Sequence, residues 1–412
     1  MNRAELTSEL HARSVLPVES EAIIHHYAFA GDRESGERYL RLLLSNQGIT
    51  PKDNPSKFEV IELDDKRLRW EQHTEFFTIT LYDDNEKSQS LISLFTEIAH
   101  EERLLLLVHM ELVIQEADPS ISMSPHELNT QFNEASLCGI LISGGGGAYF
   151  SDFRLSGSDL ISHHVILNYG MTRHQLGRQV TRVIEIETYR VLAMVGYQHT
   201  QAVMSRLAEL EEGTHALIAM VAAMDRRAGR ELLDEVTSLS SQTENLIAEL
   251  SFRLNITQAY AQILHERIES LRGERVGQLR DLKGFMHRRF TPLMRAVQSF
   301  EARLERLLKR LDRASNLIRT RVDVQLEEQN SELLKSMDRR AKLQLRLQNT
   351  VEGLSIIALS YYAVGLMNYA LTPLGKVLNF DAKVVSSSLA IPIVLLMIWN
   401  LRRIHSIHHM RS

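Results

Sequence analysis

The sequence predicts an α+β domain followed by a long α-helical stalk and a C-terminal two-helix transmembrane hairpin. Three observations predict it. Apolar and polar residues alternate with period two at several places in the first 168 residues. Between Leu293 and Glu352 there is neither glycine nor proline. The last sixty residues, 353–412, hold two uncharged apolar stretches. The expected order is an N-terminal α/β cytoplasmic domain over 1–168, a helical cytoplasmic region over 169–291 and a stalk helix over 292–352. Spans over 353–371 and 384–401 follow, joined by an external loop over 372–383, and a basic cytoplasmic tail occupies 402–412.

Composition narrows the classes of function. The 412 residues carry a net charge of −5 with 24% charged residues, which argues against a nucleic-acid binder with its basic excess. With 8 prolines and 6% aromatics, the chain reads as richly helical. Cys138 is the only cysteine, so no intramolecular disulfide can form, and a reducing compartment is expected. The start, Met1-Asn2-Arg3-Ala4-Glu5, has no apolar core of signal-peptide length, so the N-terminal part is expected in the cytoplasm.

In the α/β part, the candidate strands are Phe58–Leu63, Arg67–Trp70, Phe76–Leu81, Leu104–Ile114, Gly139–Ile142 and Val165–Leu167. Glu37–Leu44 and Leu91–His100 suit helices, and the run Gly144–Gly147 breaks regular structure. From Thr172 the signal changes to long amphipathic helices, with Ile184, Val191, Leu192 and Val195 at helical spacing. Further helices are expected over Leu232–Leu271 and Leu279–Arg289, and Pro292 marks the next helix start or a kink. The stalk of about sixty residues would be on the order of 90 Å long. Leu304, Leu308, Leu311, Ser315, Ile318 and Val322 follow the four-and-three spacing of a packing seam. After a phase shift through Leu326 and Asn330 it resumes at Leu334, Met337, Ala341 and Leu345.

The span Gly353–Leu371 carries polar side chains only at Ser355, Ser360, Tyr361, Tyr362, Asn368 and Tyr369. The second, Val384–Leu401, contains Pro392, which membrane helices tolerate. Neither has the polar face that a soluble amphipathic helix needs. Arg339, Arg340, Lys342 and Arg346 precede the first span and Arg402, Arg403 and Arg411 follow the second, which puts both termini on the cytoplasmic side.

Candidate sites are few. Gly144–Gly147 lacks the Lys-Ser/Thr that a phosphate-binding loop needs. His405, His408 and His409 have zinc-like spacing but no accompanying cysteine or carboxylate, and read as a topological anchor with the neighbouring arginines. Arg178, Arg182, Glu185, Glu187 and Arg190 form a dense charge cluster, either the support of an exposed helix or a buried network at a domain junction. Trp70, Glu71, His73 and Glu75 lie close in sequence, and a carboxylate–imidazole site there would suit acid–base work. Their spacing alone does not define one, and an enzyme is not expected.

Two resemblances complete the reading. Gly365-Leu366-Met367-Asn368, followed by Tyr369, stands at the end of the first of two C-terminal spans. This resembles the Gly-Met-Asn signature of CorA-like divalent-cation channels, interrupted here by Leu366. The resemblance implies a homo-oligomer, a pentamer in that family, in the lipid bilayer, with Asn368 in a ring that meets a hydrated divalent cation such as magnesium. Gly365 would let helices approach near the mouth, and Glu352 would form an acidic ring at the cytoplasmic entrance. Tyr361 and Ser360 would line the pore or bond between helices. No bound cofactor is implied beyond the cation. Asp and Glu residues of the soluble part would sense it. A non-conducting scaffold of the same layout is the alternative.

The second resemblance covers nearly the whole chain. Glu9-Leu10-His11-Ala12-Arg13, Trp70-Glu71-Gln72-His73-Thr74-Glu75-Phe76, Glu185-Ile186-Glu187-Thr188-Tyr189-Arg190 and Thr350-Val351-Glu352-Gly353-Leu354-Ser355 are similar to markers of an uncharacterised bacterial membrane-protein family, domain of unknown function 3422. Ser14 stands where that family's pattern has proline. The resemblance implies a multi-pass protein of the bacterial inner (cytoplasmic) membrane and supplies no activity.

Overall fold

The computed structural model describes residues 15–52, 55–63, 66–83, 89–119, 132–223 and 229–378, together with 384–385, 387–392, 394–396 and 398–399. It divides into two compact units, Met1–Met224 with Arg230–Ser315, and Asp225–Gly229 with Asn316–Ser412.

The first unit is built on a sheet that has nine strands among the described residues. In chain order these are β1 (Ala22–Ala30), β2 (Phe58–Leu63), β3 (Lys66–Gln72), β4 (Phe76–Asp83), β5 (Leu105–Glu116), β6 (Cys138–Ile142), β7 (Gly147–Ser156), β8 (Ile161–Asn168) and β9 (Glu274–Arg275). Their spatial order is β2-β3-β4-β1-β5-β8-β7-β6-β9. Only β5 and β8 pair in parallel; every other neighbouring pair is antiparallel. The six expected strands are all present, several of them longer than expected.

Two long strands, β1 and β7, carry no alternation that the sequence reading could use. Strand β1 lies between β4 and β5 and is buried along most of its length on both faces, so polar His26 and apolar Tyr27 are equally enclosed. Strand β7 encloses Ser151 and Asp152, both satisfied locally: Ser151 Oγ donates to the His163 carbonyl, and Asp152 accepts from the backbone amides of Asn133 and Arg154. The glycine run forms the β6–β7 turn, where Gly144 and Gly145 take φ of 67° and 88°, a region that glycine enters without a Cβ penalty.

Helices cover both faces. On one face lie α1 (Arg33–Asn46) and α2 (Gln89–Glu101). Asp32 starts α1 by accepting from the Ser35 amide, which satisfies one of the donors that a helix N-terminus leaves open. Tyr39, Leu40, Leu43 and Leu44 recur at helical spacing and bury against Tyr27, Phe29, Trp70 and Phe77. Burying an aromatic side chain of this size contributes about 1.5–3 kcal/mol each. The other face receives α3 (Arg173–Ala202), which begins with a capping box between Thr172 and Gln175.

After α3 come α4 (Met204–Ala222), α5 (Gly229–Ser270), α6 (Leu282–Arg289) and α7 (Thr291–Leu378). Pro292 sits in the first turn of α7, where its missing N–H costs nothing. Within the first unit, α7 buries Val297, Phe300, Leu304, Leu307, Leu311 and Ala314. The seam therefore runs through Leu307 and Ala314 rather than the expected Leu308 and Ser315, which are half-buried. Leu307 and Leu308 are both apolar, so spacing alone could not choose between them. Arg303 fixes this register with two bonds to Glu211 of α4, at 2.6 and 3.0 Å.

In the second unit α7 continues to Leu378. Leu334, Met337 and Leu345 of the expected downstream seam are exposed. The helical stretch Leu282–Pro373 contains a window that is long and apolar enough to cross a membrane by length and composition, and only 6% of that window is buried. The expected second span lies partly outside the described residues; a shorter apolar helix is seen at Ser387–Leu396. The tail over 402–412, with His405, His408 and His409, and the motif Glu9–Arg13 lie outside the described residues, as does much of the connecting loop.

Candidate functional site

A group of enclosed polar side chains that also borders open space lies where α3 crosses the sheet. Strands β1, β4 and β3 place His26, Thr80 and Arg69 in one row, and the adjacent row brings Thr78 beside Glu71. All of these face α3, whereas Trp70, between Arg69 and Glu71, points to the opposite side and into the aromatic core. From α3 come Thr181, Glu185 and Thr188, and from α5 comes Arg267. Together they enclose a cavity of about 240 Å³.

The walls are held by internal bonds. One nitrogen of His26 meets Thr80 Oγ1 at 2.8 Å and the other meets Thr188 Oγ1 at 2.9 Å, so this ring ties sheet to helix. Burial drives the His26 pKa down to about 3, against the raising pull of Glu71 and Glu187, and the ring is neutral. Arg69 pairs with Glu71, which also stands 3.7 Å from His73. Burial opposes the Arg69 charge, but Glu71 and Tyr82 outweigh it and raise the pKa. Arg267 Nε donates to Glu185 at 2.5 Å.

The charge cluster of α3 therefore divides by face. Glu185 joins the cavity, while Glu187 and Arg190 turn into the interior against β7 and β8 as a two-bond pair at 2.7 and 2.8 Å. Burial pushes the Glu187 carboxyl up, but Arg190, His164 and Ser162 together carry it down to about 2. His164 meets Ser162 Oγ at 2.7 Å and Tyr149 Oη at 2.8 Å, and burial lowers its pKa to about 4. Since Ser162 donates to Glu187, it accepts from His164 Nε2–H, and Tyr149 donates to Nδ1.

Of the four residues read as a carboxylate–imidazole group, the structure keeps Glu71 and His73 together and separates the others. Glu75 leaves the cavity to accept from Tyr260 at 2.9 Å and to pair with Arg253 at 2.8 Å. The sequence reading missed His26, Arg69, Thr78, Thr80 and Arg267. The available signal was two threonines two residues apart in the otherwise apolar run Phe76–Leu81. Among the described residues, no group of three or more His, Cys, Asp or Glu side chains is placed to hold a metal ion.

The membrane-segment candidates all lie on α7. Tyr361 is 77% exposed, and a Cβ added at Gly365 would meet nothing. Glu352, Met367 and Asn368 are half-buried, and Ser360 is buried. The Asn368 carbonyl accepts from Thr372 Oγ1 at 2.6 Å. Leu354, Ile357, Tyr361, Gly365 and Asn368 fall along one side of the helix, and Leu354, Ile357 and Tyr361 are exposed.

Searched against curated proteins, the sequence finds no match. Across residues 1–408 it matches the model of the family described as "Protein of unknown function (DUF3422)". The chain belongs to that family.

Proposed function

We propose that the chain is a CorA-like, homo-oligomeric protein of the bacterial inner membrane that conducts or senses divalent cations such as magnesium. In this reading both C-terminal apolar stretches span the bilayer, both termini are cytoplasmic, and copies surround an axis faced by Asn368 and Gly365. The supporting observation is the surface of α7 beyond Gly353. Leu354 and Leu366 are each 70% exposed, on different sides of a segment that carries no charge from Gly353 to Leu371. Water does not stably cover such a surface, so lipid or neighbouring helices must. Gly365 and Asn368 share one side of α7, so in this reading copies approach there and present amide oxygens to a hydrated cation.

The test is uptake of magnesium, cobalt and zinc into liposomes holding the purified protein, compared with Asn368→Ala. Saturable uptake altered by the substitution supports conduction. No uptake by folded, oligomeric protein rejects it and favours the second reading, a membrane-anchored scaffold. One observation favours that reading: the side shared by Asn368 and Gly365 carries Leu354, Ile357 and Tyr361 and no carboxylate.

A further inference from the structure

We infer that the basic stripe of α7 ahead of Gly353, formed by Lys335, Arg339, Lys342 and Arg346, binds anionic lipid headgroups at the cytoplasmic face of the membrane. Arg346 and Lys342 carry most of the selectivity. The inference rests on the reading that 353–371 enters the bilayer from the cytoplasmic side, and not on cation passage.

The first argument is charge along one helix. Over 301–332, α7 carries seven basic and seven acidic residues. Over 333–352 it carries five basic residues, Lys335, Arg339, Arg340, Lys342 and Arg346, against Asp338 and Glu352. Among the described residues, Lys342 alone of the five has a carboxylate partner, Asp338 at 2.7 Å, and the two side chains are 70% and 61% exposed. A pair so open to water neutralises little. The excess ends where the chain turns uncharged, at Gly353. A cluster of about four to eight cations at the cytoplasmic end of a span is what anionic lipid attracts.

The second argument is register. Lys335, Arg339, Lys342 and Arg346 follow spacings of four, three and four, so they share one face of the helix. Leu334, Met337, Ala341 and Leu345 hold a different face. Every residue from 331 to 350 is exposed, so both faces stand open. In a homo-oligomer, copies that cover the apolar face leave the cations outward, above the surrounding lipid.

The third argument is reach. At about 1.5 Å per residue, Arg346 lies about 10 Å before Gly353, Lys342 about 16 Å and Lys335 about 27 Å. Headgroups extend about 5–7 Å beyond the hydrocarbon, and their potential decays over about 8–10 Å at physiological salt. Arg346 and Lys342 stand within that field and Lys335 beyond it. Each cation near the surface is worth about fivefold in affinity, so the effect is graded along the stripe.

The test uses the full-length protein in phosphatidylcholine vesicles doped with spin-labelled phosphatidylglycerol or spin-labelled phosphatidylcholine. The fraction of immobilised label gives the relative affinity of each lipid for the protein surface. Phosphatidylglycerol is expected to be preferred at least about threefold at about 50 mM salt, and the preference should vanish near 1 M, where the Debye length is about 3 Å. Lys342→Gln/Arg346→Gln should remove most of it, and Lys335→Gln/Arg339→Gln less. Arg319→Gln/Arg321→Gln, about 50 Å before Gly353, should leave it unchanged, with circular dichroism confirming the fold of each variant. The inference is overturned by equal affinity for the two lipids at low salt, or by a preference that survives 1 M salt. An unchanged preference in Lys342→Gln/Arg346→Gln overturns it too, and transfers the effect to other cations. Displacement by about 10 mM inorganic phosphate, beyond that by sodium chloride of equal ionic strength, replaces the lipid with a free anion. Protein that does not enter phosphatidylcholine vesicles at all overturns the membrane reading and this inference with it. Vesicles that show the lipid preference but no ion uptake overturn conduction alone.

Discussion

Replacing Arg190 by methionine isolates the ion pair beneath α3. The Glu187 side chain is 1% exposed and that of Arg190 12%, and their two hydrogen bonds are 2.7 and 2.8 Å. Arg190→Met keeps much of the side-chain volume, including packing beside Phe153, but strands a buried carboxylate. Breaking a buried pair in this way costs about 3–5 kcal/mol. The pH dependence is diagnostic. In the native protein Glu187 titrates at about 2 when folded, below its ordinary value of 4.5. Its stabilising contribution of about 3 kcal/mol is therefore complete above the unfolded pKa and is lost as pH falls through about 2. In Arg190→Met the folded-state pKa moves above the unfolded one, because burial then acts with less opposition. Stability attributable to Glu187 then falls as pH rises above about 4.5, the opposite slope. Urea unfolding of the purified protein, followed by circular dichroism between about pH 4.5 and 7.5, reads both effects. Adding Glu187→Gln should recover at least about 1 kcal/mol, since no charge is then left buried. A loss below about 1 kcal/mol at neutral pH, or a slope of unchanged sign, would refute the reasoning.

Acid sensitivity and a backbone crossing supply two further tests. His26 and His164 titrate at about 3 and 4 in the folded chain against 6.5 unfolded, so the stability they carry is complete above about pH 6.5 and drains as pH falls through those values. His26→Asn, which keeps a side chain able to bond to the threonines, should flatten the urea midpoint over that range; an unchanged profile would remove His26 as a cause. Gly177→Ala places a Cβ on the Leu16 carbonyl oxygen. The expected net loss is about 1–2 kcal/mol, despite a helix-propensity gain of about 1 kcal/mol. Limited proteolysis should also open the segment before Pro17, and a stabilised variant would show that the crossing is looser than described.

Where polarity alternated or helical spacing repeated, the sequence alone determined the elements. Strands β2 to β6 and β8, helices α1 and α2 and the start of α7 at Pro292 follow from periodicity and breaker residues, which are local properties. The apolar, uncharged run after Gly353 was equally legible, because composition over about twenty residues decides whether a helix tolerates lipid. Tertiary structure decided the rest. Strand β1 is enclosed on both faces, so burial rather than alternation defines it, and β9 is two residues whose pairing with β6 comes from more than a hundred positions away. Leu307 displaced Leu308 in the α7 seam because the packing partners, not the spacing, choose between adjacent leucines. The cavity itself was not readable in one dimension. Residues 26, 69, 80, 185 and 267 meet only because β1, β3 and β4 are adjacent in register and α3 and α5 lie over them. A sequence determines which side chains are charged or polar, but only the folded chain determines which of them share a space and must neutralise one another.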